Sequence, residues 1–268
     1  ILDASEVEGM SFDVKDNESI VITHAHVVEA LQPCVDFFDK LVERMEAEPG
    51  AGAVGWVVEQ RIEMPGIPDA FGTGDLIVFS RVRTAVVDWK FGVGVPVKAA
   101  YIELEKEDGE DVEIERVNPQ LLYYARGAMH TNPEWFGGVD VRDKEWPVTL
   151  AIVQPRARVA DEEAEDNNRV TVVDVVPAEL EEFRMALVSA ISAATGKGPE
   201  AKRGDHCKFA ACKTVCPLWT GPVLDFERLQ QAGAARKETP LGDVFDYGDY
   251  LSAALSLKQV VEPFFAEI

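Results

Sequence analysis

Several things are scarce in this chain. Cysteine is one, with four in 268 residues. No secretory leader is read at its start, so free thiols in a reducing cytoplasm are expected rather than a disulfide framework. No run reaches the roughly 18 apolar residues that a membrane-spanning helix needs, so no membrane association is expected. Positive charge is scarce too: 26 Lys and Arg stand against 48 Asp and Glu, a formal net charge of −22. That excludes a broadly basic surface able to neutralise many phosphates, and confines any nucleic-acid path to a local groove. A glycine-rich nucleotide loop is also lacking. Gly92-Val93-Gly94 follows a strand but has neither a third glycine nor a following helix, so it reads as a turn. No internal repeat is found.

What is present is a globular composition, 47% hydrophobic, in a chain long enough to bury a substantial core. Val27, Leu31, Val35, Phe38, Val42 and Met45 make a helical stripe that Pro33 kinks or restarts. A strand follows over Val57–Ile62. Leu76–Phe79 and Thr84–Val87 are β-rich runs joined by Ser80–Arg83, the pattern of a hairpin. Acidic segments at Glu103–Glu115 and Asp161–Asp166 read as solvated hairpin tips, with Asp108-Gly109 turning the first. Trp146–Gln154 and Arg169–Val176 read as further strands. Pro177 starts a helix with Leu180, Phe183, Leu187 and Ile191 on its buried face, ended by Gly196. The order predicts an α/β fold with a mixed central sheet flanked by helices. The expected division is a core with its N-terminal helical part over 1–200, then a Cys-rich loop and helical tail over 201–268.

The chemistry concentrates in two places. Gly72-Thr73-Gly74-Asp75 opens one apolar strand, and Val86-Val87-Asp88-Trp89-Lys90 ends the next. Alternation along a strand points Asp88 and Lys90 to one side and Trp89 to the other. Asp75, placed at the start of the neighbouring strand, is expected to face Asp88. Two carboxylates at one point suit a hard cation such as Mg²⁺ or Mn²⁺. A lysine beside them can orient the attacking water and stabilise developing negative charge. Asn118-Pro119-Gln120 opens a helix, with Asn as cap and Pro in the first turn, and Gln120 and Tyr124 share one face at i and i+4. Glu59, on the preceding strand, is a candidate third acid or a partner of Arg61. His24 and His26 are expected to be solvated or capping.

Taken in order, G-T-G-D, V-V-D-W-K and Q-L-L-Y-Y-A resemble the RecB-like branch of the PD-(D/E)XK nuclease superfamily, above all phage-encoded RecB-type exonucleases and CRISPR-adaptation nucleases. The resemblance covers about residues 54–130. It implies a restriction-endonuclease-like core in which Asp75 and Asp88 bind the metal and Lys90 serves the attacking water. It also implies that Gln120 and Tyr124 lie on a helix that contacts DNA. The activity implied is phosphodiester hydrolysis, most readily by an exonuclease acting on DNA ends or single strands in phage replication or recombination. The protein would then work in the host cytoplasm, with a replication or recombination protein as a further partner.

The second place is Cys207, Cys212 and Cys216, three thiols within ten residues ending in Cys-Pro. Clustered thiolates at short spacing suit a metal. RecB-like relatives hold a [4Fe–4S] cluster with three C-terminal cysteines and one upstream. The spacing here, C-x4-C-x3-C, departs from the family's tighter first pair. The upstream cysteine of this sequence is Cys34, which sits on an apolar helical stripe with Leu31, Phe38 and Leu41 and so reads first as a buried hydrophobe. Zn²⁺ held by the three cysteines with His206 is the alternative, and a loop that has lost its metal is a third reading. A ligand upstream of Ile1 is also open. Arg81, Arg83, Lys90 and Lys98, expected around the carboxylates, and Lys202, Arg203, Lys208 and Lys213, around the cysteines, are expected to flank a nucleic-acid path. Competing function classes are a catalytically weak nucleic-acid-binding module and an assembly protein that meets a partner through its acidic surface.

Overall fold

The structure is a computed structural model that describes residues 3–13, 19–94, 96–107, 110–158, 169–198 and Cys216. The chain divides into two compact units, Ile1–Ala193 and Ala194–Ile268.

A small antiparallel pair, β1 (Ser11–Asp13) and β2 (Ser19–Val21), precedes a helical segment. That segment begins as α1 (His24–His26), widens into a π-helical stretch over Val27–Leu31, and continues as α2 (Gln32–Glu46) with Pro33 in its first turn. Proline fits there because its missing N–H costs nothing where the helix is restarted. The imidazole of His26 accepts the Thr23 amide while the Thr23 hydroxyl accepts that of His26, the capping role expected of this residue. His24 lies 3.1 Å from Glu8 at the surface.

The central sheet is built from β3 (Gly55–Glu63), β4 (Phe71–Phe79), β5 (Thr84–Trp89), β8 (Val148–Val153) and β9 (Val170–Val175), in the order β3-β4-β5-β8-β9. All pairs are antiparallel except β5 with β8, so the sheet is mixed and the α/β class holds. Between β5 and β8 the chain makes a separate hairpin, β6 (Ala100–Glu107) with β7 (Glu110–Val117), then α3 (Pro119–Thr131). The expected Asp108-Gly109 turn and the Asp161–Asp166 segment lie outside the described residues.

Alternation on β4, β5 and β8 sorts the core into two layers. Ile77, Val86, Val148, Leu150 and Ile152 face α3, meeting Leu121, Ala125 and Ala128. Leu76, Val78, Ala85, Val87, Ala151 and Val153 face α2, meeting Cys34, Phe38, Leu41 and Met45. Helix α3 comes very close to the sheet at Gly127, where an added Cβ would lie 3.0 Å from the Ile62 side chain.

Two expectations need correction. The helix α4 (Pro177–Thr195) was expected to bury Leu180, Phe183, Leu187 and Ile191. Of these four only Leu180 is fully buried; Phe183 and Leu187 are half-buried and Ile191 is exposed, because among the described residues it is the first turn of α4, at Leu180, that enters the buried core. Arg126 of α3, itself buried, ties that region down by hydrogen bonding Glu181 at 2.9 Å. Arg81 and Arg83 were expected beside the carboxylates. They occupy the β4–β5 turn, at the other end of β5 from Asp88, roughly 17 Å away at the usual strand rise. Arg83 is committed to structure there: its guanidinium contacts Glu48 at 2.7 Å, Thr149 at 2.9 Å and Asp174 at 3.1 Å.

Candidate active site

The site forms where β4 and β5 part. Their pairing runs from Phe79↔Thr84 to Leu76↔Val87 and stops, while β4 continues towards Phe71 still paired with β3. Asp75 therefore lies within a strand rather than at its start, at the point where that strand leaves its neighbour. Opposite it, Glu59 takes a left-handed backbone, φ 50°, although the register is the same on both sides, Val58↔Leu76 and Gln60↔Gly74. A non-glycine residue at positive φ is uncommon and costs about 1 kcal/mol or more. Here it marks the level at which the hairpin changes faces: Val57 and Ile62 both pack on the α3 side, although their odd spacing would place them on opposite sides of a regular strand.

That parting leaves an orphan donor. Along β5 the amides of Thr84 and Lys90 point to the β8 side, to Pro147 and Val153, so by alternation Trp89 N–H points towards the departed β4. The Asp75 carboxylate takes that N–H at 2.8 Å. One Asp75 oxygen is thereby fixed and the carboxylate is held at the end of β5.

Asp88 follows Val86 on the α3 side and is 2% exposed. Trp89 points the other way and meets Phe37 of α2 edge-on. The ammonium of Lys90 lies 2.8 Å from Asp88 Oδ2. Lys90 is therefore the partner that Asp88 Oδ2 has at this depth, an ion pair at hydrogen-bonding distance. Burial pushes the Asp88 carboxyl above its ordinary value, Lys90 pulls it part of the way back, and the Asp75 charge adds to the rise.

Helix α3 completes the arrangement. Asn118 caps it by accepting the Gln120 amide at 2.9 Å, and its own side-chain amide donates to Lys98 O. The first turn then aims Gln120 at the sheet. Lys90 Nζ donates to Gln120 Oε1 at 3.0 Å, and Gln120 Nε2 donates to Tyr124 OH at 2.8 Å. Lys90 is thus held between Asp88 and the amide of Gln120, and the shared helical face of Gln120 and Tyr124 acts as one unit. Gly72 makes room for it: an added Cβ would stand 3.1 Å from the Tyr124 ring and 3.3 Å from that of Tyr123.

Five residues named from the sequence, Asp75, Asp88, Lys90, Gln120 and Tyr124, come together here. Glu59 is exposed, and among the described residues no three His, Cys, Asp or Glu side chains form a metal-binding group, so it does not complete a three-ligand set. Cys34 is buried in the α2 layer, and burial pushes its thiol up to about 12. That is the packing role its helical stripe predicts. Cys207, Cys212 and His206, with Lys202, Arg203, Lys208 and Lys213, lie outside the described residues. Sequence reasoning missed Gln154. Buried at the end of β8, it accepts Val97 N–H at 2.8 Å and donates to Gly92 O at 3.1 Å, pinning the segment that follows Lys90. A polar residue closing an apolar strand was the available signal.

Fold and site together define an α/β protein whose mixed sheet presents two carboxylates and a lysine to one capped helix. The chain matches, over residues 3–256, the family model described as Protein of unknown function (DUF2800), and it belongs to that family. No curated protein and no solved structure matches it.

Proposed function

We propose that the protein is a Mg²⁺- or Mn²⁺-dependent nuclease that hydrolyses phosphodiester bonds in DNA. One observation carries the reading. Asp88 is almost fully buried, its Oδ2 is met by a single ammonium, Lys90 at 2.8 Å, and a second carboxylate adds its charge nearby. Two carboxylates so placed repel each other, and one lysine offsets only part of that. A divalent cation supplies the missing charge. A pair of carboxylates is the protein share that Mg²⁺ takes, with water and substrate phosphate filling the rest of its shell. The order of the motifs, with its resemblance to RecB-like nucleases, supports the same reading.

When bound, such a cation polarises a phosphoryl oxygen and acidifies a water. The chain's own groups divide the remaining work. Asp75 and Asp88 hold the charge in place, Asp75 fixed by Trp89 N–H. Lys90, held by Gln120, keeps an ammonium where negative charge develops on the phosphate and where the attacking water must be oriented. Tyr124 holds Gln120. The surrounding helix and strands keep these side chains rigid, which limits reorganisation during the reaction.

The test is hydrolysis of end-labelled single- and double-stranded DNA by the full chain in Mg²⁺ or Mn²⁺ against EDTA. Metal-dependent products support the proposal. A folded protein that cuts neither substrate in either metal refutes it and moves the role to nucleic-acid binding without cleavage. Cofactor content at Cys207, Cys212 and Cys216, iron with sulfide or zinc, is read on the same preparation by elemental analysis.

A further inference from the structure

The outer half of the β3–β4 hairpin carries a feature that the carboxylate site does not use. The register pairs Arg61↔Thr73, Ile62↔Gly72 and Glu63↔Phe71. Ile62 and Gly72 face α3, so by alternation Arg61, Glu63, Phe71 and Thr73 share the opposite, solvent-facing side. Phe71 is 56% exposed, and the Arg61 guanidinium lies 3.9 Å over its ring centroid. A planar cation stacked on an exposed ring forms a flat surface on which another flat ring can stack. Both residues line a cavity of about 460 Å³ with Glu63, Asp69 and His130.

The charge of that cavity narrows the ligand. One cation, Arg61, stands against Glu63 and Asp69, and Glu63 lies 4.0 Å from Arg61. This is not the concentrated positive charge that a phosphate requires. It suits a neutral flat ring with hydrogen-bonding edges. Phe71 also lies four residues before Asp75 on the same strand, about 13 Å away at the usual rise. A few nucleotides of an extended strand cover that distance.

We propose that the Arg61–Phe71 cavity seats an unpaired nucleobase of the strand whose phosphate lies at Asp75 and Asp88. The inference rests on the nuclease reading above and adds a base-binding site to it. A base enters such a seat only when it is out of the duplex, so the protein selects single strands and frayed ends over closed duplex.

The experiment uses the full chain carrying Asp88→Asn, so that substrate is not consumed, in Mg²⁺. Binding of fluorescein-labelled oligo(dT) and of a blunt hairpin duplex is followed by anisotropy, with and without Phe71→Ala or Phe71→Trp. Phe71→Ala is expected to weaken oligo(dT) binding about tenfold or more, the usual loss of one stacked base, while Phe71→Trp retains it and duplex binding barely changes. Unchanged oligo(dT) affinity in Phe71→Ala overturns the base seat and leaves the nuclease reading standing. Equal losses on both substrates also overturn the seat. Failure of the parent to bind oligo(dT) overturns the seat, while the reading beneath it stands or falls on metal-dependent cleavage by the wild type. Phe71 is exposed, so these variants are expected to fold, and circular dichroism checks that they do.

Discussion

Asp88→Asn should stabilise this protein when no metal is present. In the folded state the Asp88 carboxylate is 2% exposed, Lys90 offsets only part of the cost of that burial, and Asp75 repels it. Taking a carboxylate out of water costs several kcal/mol, and one partly exposed ammonium returns only part of it. The amide of Asn carries no charge to desolvate. Lys90 loses its counter-ion but keeps Gln120, and its side chain is 28% exposed, so water reaches it. The net expectation is a gain of about 1–3 kcal/mol, or a Tm higher by about 2–4 °C for each kcal/mol at this size. The pH dependence has a definite sign. The folded carboxyl is shifted up, so the folded state holds its proton at pH values where the unfolded state has lost it. Below the unfolded value of about 3.9 the penalty is absent, and it grows as pH rises through the folded value. The advantage of the variant should therefore vanish in acid and be full only above the folded value. Saturating Mg²⁺ reverses the order, because a ligand at a hundred times its Kd stabilises its binding state by about 2.7 kcal/mol and only the wild type keeps both carboxylates. Thermal melts in EDTA and in Mg²⁺ read all of this. A variant less stable than wild type in EDTA would make Asp88 a structural partner of Lys90 and remove the argument for a cation.

Other outcomes follow from the same geometry. Gln120→Ala should lower the cleavage rate about 10²-fold by freeing Lys90, with Gln120→Glu restoring part of it through the retained acceptor; single-turnover rates against pH distinguish the two. Arg83→Leu should cost about 2 kcal/mol in urea unfolding, since it removes charge-assisted bonds to Glu48 and Asp174, although Asp174 is half-exposed and keeps Thr149, and it should leave cleavage per folded molecule unchanged. Cys34→Ala should lower stability by about 1–2 kcal/mol and leave iron and zinc content as they are, because Cys34 packs in the α2 layer. A fall in metal content in that variant would make Cys34 a ligand.

The parts of the site that were legible in the sequence are the local ones. Alternation placed Asp88 and Lys90 on one side with Trp89 on the other, and the Asn118-Pro119 cap put Gln120 and Tyr124 on one helical face. Such patterns depend on neighbours two to four residues away. The bend at Glu59 and Asp75 was hidden, because it arises where one strand leaves another, and neither residue advertises a left-handed backbone or a captured amide. Arg83 was misread for a related reason. Its partners Thr149 and Asp174 lie 66 and 91 residues away, and a basic residue near a site in sequence lay far from it along the strand. The buried face of α4 was overestimated because its periodicity describes a stripe without saying how much of the helix meets a neighbour.

The most direct test of the central claim is cleavage of end-labelled DNA in Mg²⁺ and Mn²⁺ by wild type beside Asp75→Asn and Asp88→Asn, each shown to be folded. The account predicts that metal-dependent cleavage by the wild type is lost in both variants. Cleavage retained in either would contradict the assignment of these two carboxylates as the metal site.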